Sequence, residues 1–412
     1  MDLRSRLARL DRLTRRPGEA GDPAPRPQPA APDATGADVP AELGLSREET
    51  AAGPVWHRDS RDPLPPPPDP LPGLRGLFTR HARLGPRVGE ILLLDTETTG
   101  LMGGTGTLVF LVGLSWWEGS ELRTRQYFLP GPGHEAALLA AVAERCREFR
   151  AVVTYNGASF DLPLLRTRCL LNRVPDPLAH LADWDLLVPA RRLWGRRLAD
   201  CRQQSLETWL TGAARRGGDI DGARIPQAWF DFLQTGEPGL LGNVLTHNRR
   251  DMLGMGRILA AVGEIGVWLG DERAEPPAAW TDRPGAWALG RVRERRRETR
   301  GAADCFGVAW AAGWGGLEDP VARRRFRRDA IRNLKRRRRW DVVEQIITDG
   351  LDCEPGDREL HREAAILYEH RLGDLPRARR HAERCGDTHR LARLERRLAA
   401  GREGRSAHED DA

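Results

Sequence analysis

Ile91-Leu92-Leu93-Leu94-Asp95-Thr96-Glu97-Thr98-Thr99-Gly100 is the stretch on which the fold turns. Four consecutive aliphatic residues predict a strand buried on both faces. Two carboxylates follow at alternate positions, so they share one face of that strand, about 7 Å apart along the backbone. Like charges at the end of an apolar strand are costly unless something positive neutralises them. Hard oxygen ligands suit a divalent cation, Mg²⁺ or Mn²⁺. The competing reading places Asp95 in a turn and Glu97 in water, and needs no ion.

Further along the chain, apolar runs predict strands over 107–117 and 121–128, joined as a hairpin by Glu118-Gly119-Ser120. Residues 134–149 have helical spacing, 151–155 form a fourth strand, and 161–172 a second helix. This order predicts an α/β plan, a mixed sheet flanked by helices. From 184 to about 270 the periods are helical, clearest over 206–210, 226–233 and 240–265. Upstream, residues 1–85 hold half of the 30 prolines and read as a Pro-rich disordered arm with a short amphipathic stretch at Leu3, Leu7, Leu10 and Leu13. Downstream, 271–320 is rich in Pro, Gly and Trp and reads as an irregular linker. A small all-α region, basic and helical, is expected over 321–400, with a disordered tail at 401–412.

Two further motifs carry acids. Asn156-Gly157-Ala158-Ser159-Phe160-Asp161 follows the fourth strand, at the carboxyl edge where ligand sites of α/β sheets gather. Ser159 or Asp161 could equally cap the helix that starts there. His247-Asn248-Arg249-Arg250-Asp251 lies in the long late helix, where i and i+4 share a face. An exposed, charge-paired helix surface would show the same spacing.

Taken together, Asp95-Thr96-Glu97-Thr98-Thr99-Gly100, the segment ending in Asp161, and His247 with Asp251 resemble the motifs of the DEDD-type (DnaQ-like) 3′–5′ exonucleases of the ribonuclease H-like fold. The resemblance is strongest to the bacterial YprB-type group, in which such a domain precedes a tetratricopeptide-like region. It covers roughly 88–265, so the domain is expected over 86–270. By this resemblance, Asp95, Glu97, Asp161 and Asp251 hold two divalent metal ions that serve phosphodiester hydrolysis. His247 is the candidate general base, a neutral imidazole near pH 7. One departure stands out. The family's histidine base usually lies five residues before the last Asp and its tyrosine counterpart four, whereas this chain has histidine at the tyrosine spacing. Four residues turn a helix by about 400°, which keeps His247 and Asp251 on one face. The resemblance also places Asp185 in a segment that lines or supports the site; a helix cap is the alternative.

The charge is localised. Between Arg291 and Trp340 there are 17 basic and 6 acidic residues, a net of +11 in a chain of net +6. Lys335 is the single lysine. Arg323 to Arg328 and Lys335 to Arg339 form a cationic band with Phe326 and Trp340 beside it, expected to meet nucleic-acid phosphate and to stack on unpaired bases. The opposing reading packs both aromatics inward. Residues 357–386 look similar to a tetratricopeptide-type helix pair, which suggests a protein partner or simply a cap on the helices before it. Six scattered cysteines give no zinc spacing or disulfide framework. No apolar run is long enough for a membrane span, and a charged start with no apolar core implies a cytoplasmic protein. The expected partner is nucleic acid, with single strands or 3′ ends favoured. The alternative to an exonuclease is a catalytically silent nucleic-acid-binding or scaffold protein with the same fold.

Overall fold

The computed structural model describes residues 39–69, 71, 76–78, 87–100, 106–213, 220–313 and 318–409, with 401–409 as backbone alone. The stretch from Leu3 to Leu13 lies outside the described residues. Seven strands form one sheet: β1 (Ser46–Thr50), β2 (Gly53–Pro63), β3 (Ile91–Thr98), β4 (Val109–Glu118), β5 (Glu121–Phe128), β6 (Ala151–Thr154) and β7 (Ala182–Asp185). Their order is β1-β2-β5-β4-β3-β6-β7. The first five pair antiparallel, and β6 and β7 continue the sheet parallel to β3. Ile91 to Leu94 are fully buried, as a strand covered on both faces requires. The β4–β5 hairpin turns through Gly119 at φ 65°, a conformation that glycine enters at little cost.

Three strands depart from the expectation. β1 and β2 lie within the segment read as an arm, and β2 pairs with β5 from Trp56↔Phe128 to Pro63↔Glu121. The arm reading therefore fails over residues 41–63. Seven of the 16 residues of β1 and β2 are Arg, Asp or Glu and only Val55 and Trp56 are buried, which hides a strand from hydrophobic patterning yet suits an exposed sheet edge. β7 is four residues long with two aspartates and one buried side chain, Trp184, too little for a strand signal.

Six helices cover the sheet: α1 (Glu135–Cys146), α2 (Asp161–Leu171), α3 (Leu187–Leu193), α4 (Gln203–Thr211), α5 (Ile225–Thr235) and α6 (Leu241–Trp268). One apolar core joins α1, α2, α5 and the first half of α6 to one face. A second joins α3, α4 and the later half of α6 to the other.

The region 271–320 is not an irregular linker. It contains α7 (Arg283–Arg296) and α8 (Thr299–Ala311). Pro284 sits in the first turn of α7, where its missing N–H costs nothing. The glycines are packing points rather than breaks: a Cβ on Gly290 would lie 3.1 Å from Phe306, and one on Gly301 2.6 Å from Arg293. The helical region continues through α9 (Pro320–Arg336), α10 (Trp340–Cys353), α11 (Arg358–Leu367, extended by a π turn to Leu372), α12 (Leu375–Cys385) and α13 (Thr388–Glu409). These share a third core with α7 and α8. The backbone of α13 runs as helix beyond residue 400, where a disordered tail was expected. Among the described residues, no helix is long and apolar enough to cross a membrane.

Candidate metal centre

The four acids named from sequence meet at one end of the sheet. Asp95 and Glu97 stand on β3, Asp161 opens α2, and Asp251 projects from α6. Glu97, His247 and Asp251 each offer a ligand atom, and these atoms lie within 4.8 Å of one another. His247 is buried, and its Nε2 is 3.1 Å from Asp251 Oδ2, so the i,i+4 spacing does bring the two together. The Thr96 hydroxyl donates to Asp161 Oδ1 at 2.5 Å, which ties α2 to the strand. The N-cap of α2 is Phe160, with no side-chain capping bond, so neither Ser159 nor Asp161 is spent on capping.

Electrostatics set this cluster apart. Burial, followed by the charges of Glu97, Asp251 and Asp161, pushes the Asp95 carboxyl well above its ordinary range, against the pull of a bond from Asn248. Asp161 is also raised, chiefly by burial, while bonds from the Thr96 side chain and from backbone N–H groups oppose the shift. Carboxylates that raise one another's proton affinity form a negative pocket, and a divalent cation satisfies that pocket with oxygen and imidazole donors. The residue set fits such an ion.

Sequence reasoning missed the residues that hold the acids in place. Asn248 is fully buried, and its Nδ2 donates to Asp95 Oδ2 at 2.8 Å. Its own oxygen accepts from Gln126 Nε2 at 2.9 Å, and Gln126 also donates to the Leu245 carbonyl. Asp95, Gly113 and Gln126 form one cross-strand row over β3, β4 and β5, and Asn248 is seated on it. A Cβ at Gly113 would stand 2.3 Å from the Asn248 oxygen, so only glycine leaves room. A glycine inside an apolar strand and a glutamine on its neighbour were the available signals.

Asp185 is a support. Its Oδ1 accepts from the N–H of Asn156 (2.8 Å) and of Leu187 (2.9 Å). Asn156 has φ 66°, which asparagine tolerates better than most residues. Gly157 is required beside it, since a Cβ there would fall 2.5 Å from Thr154. The Asn-Gly pair thus makes the tight turn that delivers Asp161. On the other flank, Gln203 Nε2 donates to the Asp251 carbonyl at 2.7 Å and to Glu207 at 3.0 Å.

The cationic band differs from its expectation. Phe326 is fully buried against Trp287 and Phe306, so it cannot stack on bases, and Arg371 lies 4.9 Å over the half-buried Trp340. Arg324 and Arg327 pair with Glu354, Arg328 with Glu359, Arg332 with Asp329 and Glu294, and Lys335 with Glu363. Much of this charge therefore holds helices together.

Comparison with known proteins agrees with the geometry. Residues 92–262 match a family model described as the RNase_H superfamily. The fold is ribonuclease H-like. Over 182 residues the chain is also 36% identical to the uncharacterized protein YprB of Bacillus subtilis (strain 168), which covers 44% of this chain and 43% of that protein. The chain thus spans less than half of the relative it matches. The family-model match takes in most of β3, all of α2 and most of α6.

Proposed function

We propose that the protein is a metal-dependent 3′–5′ exonuclease that hydrolyses phosphodiester bonds of DNA or RNA. The observation that carries this reading is the convergence of Glu97, Asp161 and Asp251 on the buried Asp95, each raising its proton affinity. Asp95, Glu97, Asp161 and Asp251 would hold two divalent ions, Mg²⁺ or Mn²⁺. Bound there, such ions supply an activated water and neutralise charge on the leaving 3′ oxygen. The chain's own groups do the rest. His247 accepts the proton of the attacking water, and the Asp251 carboxylate beside it stabilises the imidazolium that forms. Asn248, donating to Asp95, fixes that carboxylate's orientation. The 3′–5′ polarity rests on the resemblance to DEDD-type exonucleases, and the superfamily match supports a nuclease in general.

The test is direct. Purified protein with Mg²⁺ or Mn²⁺ is given single- and double-stranded DNA and RNA labelled at either end. Release of mononucleotides from the 3′ end, stopped by EDTA and restored by metal, is expected. Asp95→Ala and Asp161→Ala should reduce hydrolysis to background with the circular-dichroism spectrum intact, and His247→Ala should lower kcat by about 10²–10⁴-fold. Full activity in either aspartate variant refutes the assignment. Metal-independent binding without hydrolysis would favour a silent scaffold.

A further inference from the structure

A cavity of about 600 Å³ lies between the sheet domain and the helical region, lined by residues of α3, α7 and α9 and of the turn after α3. Its walls carry five arginines: Arg191, Arg196, Arg291, Arg325 and Arg328. Of the three carboxylates present, Glu318 is exposed, Asp319 caps the first turn of α9, and Asp329 is held by Trp287 and Arg332 as well as by Arg291. Arg328 is satisfied by Glu359. Among the described residues, no carboxylate pairs with Arg191, Arg196 or Arg325. The Arg196 guanidinium lies 4.3 Å over the Trp287 ring, so its plane is fixed and its edge N–H groups remain for a ligand. Burial, and then the charge of Arg291, holds its pKa down to about 10, which an anion in the cavity would relieve.

Position favours one kind of anion. α3 starts directly after Asp185, the residue that fixes the Asn156 turn beside Asp161. Arg191 lies six residues further on, roughly 9 Å along a helix axis. A chain of phosphates that reaches the acids can therefore continue along α3 into the cavity. Guanidinium groups recognise phosphate oxygens in pairs, and unpaired arginines spread over α3, the turn after it and α9 match several phosphates better than one.

We propose that this cavity binds the phosphodiester backbone of a single-stranded nucleic acid whose end occupies the metal centre. The assignment rests on the nuclease reading for its choice of ligand, and on the arginine geometry for its location.

The test uses the full chain in EDTA, so that no substrate is lost, with fluorescein-labelled single-stranded DNA and RNA and anisotropy read across a salt series. The variant Arg191→Ala/Arg325→Ala is compared with Arg380→Ala/Arg384→Ala, which removes the same charge from α12, outside the cavity. The cavity pair should bind about tenfold more weakly, with the slope of log affinity against log salt smaller by about 1.4, two contacts on a single strand. The α12 pair should stay within about twofold of wild type. Equal weakening in both pairs, or none in the cavity pair, overturns the proposal. Inorganic pyrophosphate is the second probe: if it raises the melting temperature of wild type and no oligonucleotide binds, the nucleic-acid assignment is wrong. Hydrolysis by wild type with unchanged binding in the cavity pair removes this site and leaves the nuclease standing. Cavity-dependent binding with no hydrolysis does the reverse.

Discussion

Asn248 ties two strands beside the acids, β3 and β5, through a single amide. It donates to Asp95 and accepts from Gln126, and each partner is buried or partly buried. Asn248→Ala removes the bond to Asp95 and one of the two that Gln126 donates, and should cost about 1–3 kcal/mol in urea denaturation. Gly113→Ala forces the same amide aside from the opposite strand, so it should destabilise by a similar ~1–3 kcal/mol and lower kcat with little change in KM. A loss of stability with unchanged kcat in Gly113→Ala would show that Asn248 does not orient Asp95. At this scale the acids themselves were legible, because strand alternation and the i,i+4 rule need only local spacing. Asn248, Gln126 and Gly113 were not, because their partners are remote in the chain: 153 residues separate Asn248 from Asp95.

Helix pairs hold their own lessons. α4 closes on α6 where Gly254 leaves space for Glu207; a Cβ there would overlap the Glu207 carboxylate at 1.6 Å. Gly254→Ala should push α4 away, release Gln203 from the Asp251 carbonyl and weaken metal binding, measurable by calorimetric titration with Mn²⁺. Between α11 and α12, His361 and His381 share a bond of 2.9 Å between their Nδ1 atoms, and Tyr368 stacks on His381. Burial first, then His361 and the nearby Arg384, Arg380 and Arg377, hold the His381 pKa down to about 4 from an ordinary 6.5. The unfolded chain therefore binds more protons than the folded one between those values, so stability rises with pH across the window and is lost as pH falls through it. Thermal melts from pH 4 to 7 should show that slope, and His381→Gln should flatten it. The strands β3, β4 and β6 were readable because buried strands are continuously apolar. β1, β2 and β7 escaped because edge and four-residue strands bury too little to leave a pattern. The helices α7 and α8 escaped for the opposite reason, since glycines that admit close packing look like breaks.

For the molecule as a whole, the sheet domain is not bounded by the region its motifs span. Leu64, Leu71, Leu77 and Phe78 enter the second core from before β3, and Ala288, Leu289 and Val292 enter it from α7. Asp62 on β2 pairs with Arg249 on α6, beside the acids. A fragment of residues 87–270 would expose the β5 edge and this apolar face, so it should aggregate where residues 39–313 stay soluble; sedimentation of the two fragments checks this. Motif spacing marks where chemistry sits, whereas the limits of a cooperative unit depend on burial that only coordinates reveal. The lone lysine offers a practical handle. Lys335 is partly shielded and paired with Glu363 between α9 and α11. Amine-directed dyes thus find one ε-amino group in the whole sequence, and a fluorophore there would report on the helical annex with no engineered attachment point.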